Sequence, residues 1–279
     1  MKKNTYSGIQ TIAIHAGEGP DPTTNASAPP IHMSSTFVSE EAAGFSAHDL
    51  TDDSPWLYAR WANPTVSMLE KKIAAIEGVE DALCTASGMA AATAIFLTFL
   101  QKGDHVIISD VSYAGVAELA RDTLPRFGIE TTFVDMADLE AVEAAMRKNT
   151  KLVHIETPVN PILRLTDVKA VKEITLKAGA LLSADCTFST PIGARANALG
   201  IDLIMHSATK YLCGHGDAVG GVIAGSKSLI SKLRLEAGIH HGGVMSPFNA
   251  WLISRGVATL PLRMEAHQKN ATTLANWLE

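Results

Sequence analysis

Lys210 stands in the run Ser207-Ala208-Thr209-Lys210-Tyr211-Leu212-Cys213-Gly214-His215-Gly216-Asp217-Ala218-Val219-Gly220-Gly221. Two hydroxyl residues precede it and a glycine-dense loop follows. Burying a lysine disfavours its cationic form and makes the amine a nucleophile. The hydroxyls of Ser207 and Thr209 suit the oxygens of a phosphate, and the glycines let backbone approach a flat ligand. Together they point to a lysine that forms a Schiff base with pyridoxal phosphate. A solvated lysine before a flexible loop is the plain alternative, since most lysines are exposed.

Two further segments support the same chemistry. Asp185 follows an apolar run, 178–184, that reads as a buried strand. Its carboxylate would sit at the strand's C-terminal end, where open α/β sheets bind ligands. A buried carboxylate needs a cationic partner, which a protonated pyridine nitrogen would supply. An aspartate that merely caps the next turn is the competing reading. The stretch Thr85-Ala86-Ser87-Gly88-Met89 joins a short strand, 82–85, to an alanine-rich helix. Free N–H groups and the positive end of the helix dipole make such a junction a phosphate cradle.

The elements that must position these residues follow from periodicity. Asn63 before Pro64 reads as an N-cap with proline at the first helical position. Val66, Leu69, Ile73 and Ile76 then form a helical apolar stripe that ends near Gly78. Strand-like runs follow at 105–109, 131–134, 152–156, 180–184, 203–206 and 219–224. Helical stretches fall near 88–100, 115–126, 138–147 and 167–178, and the chain is helical after Ser226, with a new helix from Pro247. Strands alternating with helices predict a mostly parallel sheet covered on both faces. Residues 47–55, like Pro29-Pro30, read as loop. The domain reading is an N-terminal arm over 1–55, a cofactor-binding domain over 56–245 and a helical segment over 246–279.

The ordered set Tyr58-Ala59-Arg60, Asn63-Pro64-Thr65, Ala86-Ser87-Gly88-Met89, Tyr113, Glu156-Thr157-Pro158 with Asn160-Pro161, Asp185 with Thr187-Phe188, and Ser207-Ala208-Thr209-Lys210-Tyr211 resembles the Cys/Met-metabolism family of pyridoxal-phosphate enzymes. The resemblance runs from about residue 8 to residue 279. It implies an α/β fold of the PLP-dependent transferase, aspartate-aminotransferase type, with a mostly parallel central sheet and a truncated C-terminal domain. It implies cofactor contacts from Tyr58, Arg60, Ser87, Gly88, Met89, Tyr113, Asn160, Asp185, Ser207, Thr209 and Lys210, with Lys210, Tyr113 and Tyr58 catalytic. Tyr113 would stack on the pyridine face and protonate a leaving sulfur. Asn160 would hydrogen-bond the cofactor's phenolic oxygen. Tyr58 and Arg60 would bind phosphate across a subunit boundary, so the active unit would be a dimer within a homotetramer. The N-terminal segment would lie across a neighbouring subunit.

The family's arginine for the substrate carboxylate lies in its C-terminal domain, and none is assigned here. The implied reaction is γ-elimination on a methionine-, homocysteine- or cystathionine-like amino acid, by a carbon–sulfur lyase. The alternatives are γ-replacement on an activated homoserine ester, or a cofactor-binding fragment without turnover. Gly115 stands where methionine γ-lyases usually carry cysteine, and Cys186 where the family usually has asparagine.

The remaining composition excludes more than it assigns. The 279 residues are 47% hydrophobic with a net charge of −6 and no basic block, which argues against nucleic acid as a partner. Cys84, Cys186 and Cys213 lack disulfide spacing, and residues 1–5 lead into no apolar signal region; both fit a cytoplasmic enzyme. The uncharged run 82–100 has the length of a membrane span, but its Ser-Gly turn makes it a buried helix instead. His206, His215, His240 and His241 do not read as a metal site, since adjacent residues point apart. Leu260, Leu262, Leu274 and Trp277 are expected to leave an apolar stripe uncovered.

Overall fold

A computed structural model describes residues 6–39 and 54–279. Most of the loop expected over 47–55 therefore lies outside the described residues. Seven strands form one sheet: β1 Asp81–Thr85, β2 His105–Ser109, β3 Glu130–Val134, β4 Thr150–Glu156, β5 Leu181–Asp185, β6 Leu203–Ser207 and β7 Gly221–Gly225. Their order is β1-β7-β6-β5-β4-β2-β3. Every neighbouring pair is parallel except the two that involve β7. The helices are α1 Ile9–His15, α2 Pro64–Glu77, α3 Gly88–Phe99, α4 Ala114–Glu118, α5 Leu139–Ala145, α6 Val168–Ala178, α7 Thr190–Gly193, α8 Lys227–Leu233, α9 Pro247–Val257 and α10 Leu260–Leu278. None is long and apolar enough to cross a membrane, among the described residues.

Alternation along the strands builds two cores, one on each face of the sheet. Ile107, Val153, Ile155, Ile204 and Val222 face one core, with α2, α6 and α9. Val106, Ile108, Leu152, Met205 and Ile223 face the other, with α3 and α8. Each fully buried Ile or Leu contributes about 1.5–3 kcal/mol relative to exposure. Local signals fix the helix ends: Asn63 Oδ1 accepts from Thr65 N–H and Val66 N–H, and Gly78 closes α2 in the left-handed region at φ 74°.

The N-terminal residues are tied to their own chain. Lys72 in α2 is fully buried; its Nζ pairs with Glu18 and donates to Ile14 O at 3.1 Å. Ser254 of α9 donates to the same Glu18 carboxylate at 2.9 Å. Trp251 Nε1 donates to Pro29 O at 3.1 Å.

The differences from expectation have physical causes. Ala178 ends α6 and Gly179 caps it, so β5 begins at Leu181 and takes in Asp185 as its last residue. The helical stretch at 115–126 is a short α4 continued by a wide turn and a tight turn, Leu119–Thr123 and Leu124–Phe127, with Pro125 breaking the regular ladder. Leu260, expected in the uncovered stripe, is fully buried in the first core. Leu262, Leu274 and Trp277 are exposed as expected.

Candidate active site

The parallel strands β1, β2, β4, β5 and β6 end, and the reversed β7 begins, on one side of the sheet. Their ends surround a cavity of about 660 Å³. Ser87, Gly88 and Met89 line it from the start of α3, Asp185 from β5, Ser207, Thr209 and Lys210 from the end of β6, and Tyr113 and Asn160 from the loops after β2 and β4. Tyr58 and Arg60 do not line it. Arg60 lies over the Tyr58 ring at 5.3 Å and its Nη1 donates to Ile239 O.

Close packing makes one end of the cavity suited to an anion. Ser87 caps α3, its Oγ accepting from Ala90 N–H at 3.1 Å. A side chain at Gly88 would come within 2.8 Å of Ser207 Cβ, and one at Gly221 within 2.2 Å of Ser87 O. Only glycine lets β6, β7 and the start of α3 meet this closely. Thr209 is less free than its sequence context implies. Its hydroxyl accepts from Gly220 N–H at 3.1 Å and donates to Gly220 O at 3.2 Å. The helix N-terminus, its free N–H groups and Ser207 form a donor set that fits phosphate.

The opposite wall is acidic. Glu156 and Asp185 are register partners on β4 and β5, so both side chains leave the same face. Both are buried. Asp185 Oδ1 accepts from Thr187 N–H at 2.9 Å, and among the described residues it has no lysine or arginine partner. A buried carboxylate without a protein cation, facing a cavity, fits a protonated ring nitrogen. Glu156 accepts from Tyr113 N–H at 2.6 Å and from Asn160 N–H at 2.9 Å. One carboxylate thus holds both loops. Burial pushes its pKa up, against the pull of the Asn160 N–H, while Asp185 adds to the rise.

His154, two residues before Glu156 on β4, bonds Ser183 Oγ through Nδ1 at 2.8 Å. Burial lowers its pKa from 6.5 to about 4, although the Asp185 charge opposes this. The imidazole is therefore neutral in the native state at neutral pH. The unfolded chain takes up its proton first as pH falls, so this part of the stability is full above pH 6.5 and lost through pH 4. In denaturant titrations over that window, His154→Asn, which keeps a hydrogen-bonding group beside Ser183, is expected to lose markedly less stability than the unaltered chain. Equal slopes would exclude His154 as the titrating group.

One expectation about Lys210 is corrected. The chain alone does not bury it: Lys210 is exposed within the open cavity. Tyr113 is half exposed there, not packed in a core. Glu156, Phe188, Tyr211, Arg263 and His267 also line the cavity but were not singled out as site residues. Glu156 ends a strand as Asp185 does, a signal that was legible. Arg263 and His267 share a face of α10 at i, i+4 spacing, but nothing local says what that face meets. No cluster of three or more metal-ligating side chains occurs among the described residues.

The chain is 44% identical to a canavanine gamma-lyase from Rhizobium leguminosarum bv. trifolii (strain WSM2304), over 99% of its own length and 69% of the relative's. It is 42% identical to a cystathionine gamma-lyase from Bacillus subtilis (strain 168), over 97% of its length and 69% of that protein's. The crystal structure of cystathionine gamma-lyase from Lactobacillus plantarum complexed with L-serine superimposes with a TM-score of 0.90 at 34% identity, covering 98% of this chain and 69% of that one. The model of one family, Cys/Met metabolism PLP-dependent enzyme, matches residues 10–279. With its mostly parallel sheet and its cavity at the strand ends, the chain belongs to that family of pyridoxal-phosphate enzymes.

Proposed function

We propose that the chain catalyses γ-elimination on an α-amino acid that carries its leaving group on Cγ, as methionine, homocysteine and cystathionine do. The observation that carries this is the convergence of Lys210, cation-free Asp185, half-exposed Tyr113 and the Ser87-Gly88-Ser207 cradle in one cavity. Canavanine, named by one relative, carries oxygen at Cγ, so the shared requirement is a Cγ leaving group and not sulfur as such.

When bound, pyridoxal phosphate supplies an electron sink that stabilises negative charge at the substrate Cα. The residues of the chain do the rest. The first turn of α3 and Ser207 would hold the phosphate, with Thr209, its hydroxyl bonded to Gly220, fixing the loop beside it. Asp185 would keep a proton on the ring nitrogen, and Asn160 would bond the phenolic oxygen. Lys210 Nζ would be the group that holds the cofactor, and its amine is placed to move protons at the substrate Cα and Cβ. Tyr113 would cover the ring, and its phenol could supply a proton to the departing group. Glu156 holds Tyr113 and Asn160 by their N–H groups. Tyr58 and Arg60, outside the cavity of their own chain, serve the phosphate of a neighbouring subunit, which makes a dimer the active unit and a homotetramer its assembly. All of these residues lie in the cofactor-binding unit at 56–245, between the arm at 1–55 and the segment from 246, and the setting is cytoplasmic.

The protein loaded with pyridoxal phosphate and supplied in turn with methionine, homocysteine, cystathionine and canavanine is expected to release a 2-oxo acid and ammonia from at least one. Product formed only when an acceptor thiol and a homoserine ester are both present would replace elimination with γ-replacement. A loaded protein that turns over none of them would overturn the proposal.

A further inference from the structure

Arg263 is the only guanidinium that lines the cavity, among the described residues. Without a carboxylate partner, it has the look of a grip for an anionic substrate. Its hydrogen bonds say otherwise. Nη1 donates to Tyr211 O at 2.8 Å, Nη2 to Gly256 O at 2.7 Å and Nε to Thr259 Oγ1 at 3.1 Å. Three of its five N–H donors, one on each nitrogen, are committed to the protein, two of them to backbone carbonyls from different parts of the chain. Tyr211 directly follows Lys210. Gly256 lies in the last turn of α9, and its carbonyl also accepts from Thr259 N–H at 3.2 Å and Thr259 Oγ1 at 3.1 Å.

The same contact is tightened from both sides. Gly214 sits at φ +74°, and a Cβ there would lie 2.2 Å from Arg263 Nη1. A Cβ on Gly256 would lie 2.0 Å from Cys213 O and 2.7 Å from Leu212 O. The loop after Lys210 is therefore pressed onto the α9–α10 junction with no room for a methyl group. One turn further along α10, His267 meets the Tyr211 ring edge-on at 5.3 Å. The short turn that carries the lysine is closed by Gly214 N–H donating to Lys210 O at 2.8 Å. Arg263 holds the next carbonyl of that turn.

The geometry points to Arg263 as a positioning residue that fixes the backbone on which Lys210 stands, and not as the group that binds the substrate carboxylate. A planar fork across two carbonyls holds a loop more rigidly than an ammonium does. A misplacement of about 1 Å in a reacting group can cost on the order of 100-fold in rate. This inference rests on the lyase reading above and assigns the placement of its lysine.

Two variants test it in the cofactor-loaded protein, Arg263→Met and Gly256→Ala. The first removes the donors, and the second pushes the Cys213 carbonyl away with the guanidinium intact. Both are expected to lower kcat about 10- to 100-fold with KM changed less than about threefold. Both are also expected to shift the pH midpoint of the bound cofactor's visible band, and Arg263→Lys to recover part of each effect. A large rise in KM with kcat held, in Arg263→Met alone, would make Arg263 the carboxylate grip and overturn the inference. So would variants that match the parent in kcat and in band midpoint. If the parent protein itself neither takes up cofactor nor turns over, it is the lyase reading that fails, and band position cannot then be mistaken for its cause.

Discussion

Lys210→Ala is expected to abolish turnover, lowering it by at least about 10³-fold, while the fold survives. Proton transfer by a placed side chain contributes about 10²- to 10⁴-fold, and here one amine both holds the cofactor and moves protons at two carbons. The side chain is exposed and lies in an open cavity, so removing it leaves no buried void. The backbone around it is held by other groups: Lys210 N–H donates to Ser207 O, Cys213 N–H to Ala208 O and Arg263 to Tyr211 O. Far-UV circular dichroism and Tm should therefore match the parent. Turnover within tenfold of the parent would remove Lys210 from the chemistry, and a collapsed fold would show that the side chain is structural.

Asp185→Asn is expected to weaken cofactor retention about 10- to 100-fold and turnover by more. Asparagine keeps an oxygen for Thr187 N–H, so the turn after β5 is preserved. What it loses is the negative charge that holds a proton on the ring nitrogen. A hydrogen bond to a charged group is worth about 1.5–3 kcal/mol, which sets the range. Turnover falls further because an unprotonated ring is a poorer electron sink. Equilibrium dialysis and steady-state kinetics on the same preparation separate the two losses. Retention and turnover both equal to the parent would mean that Glu156, the register neighbour, carries the charge instead.

Much of this site was legible because it is local in sequence. Ser207, Thr209 and Lys210 are one segment, and Ser87-Gly88 caps one helix, so a few residues of context sufficed. Asp185 could be placed from the rule that strand C-terminal ends face the ligand, even though β5 begins later than its apolar run does. The parallel sheet followed from alternation of strands and helices. The reversal of β7 did not, because β6 and β7 differ in direction only through the loop that carries Lys210, and loop geometry leaves no periodic trace. The exposure of Lys210 was also hidden, since burial depends on tertiary packing and not on the local sequence. Arg263 is the clearest limit. It reaches Tyr211 across 52 residues of chain, and only the packing of α9 on α2 and of Gly256 on Cys213 brings them together. The identity of Cys186 has no functional account; it is buried, and burial first, then the charges of Glu77 and Asp185, raises its thiol well above the ordinary range.

The central claim is that one particular lysine carries the cofactor. Protein loaded with pyridoxal phosphate can be reduced with borohydride, digested and mapped by mass spectrometry for the fixed pyridoxyl group. The account predicts a single modified peptide, the one that contains Lys210, and no fixed group in Lys210→Ala. A fixed group on any other lysine, or a loaded protein in which borohydride fixes none, would contradict it.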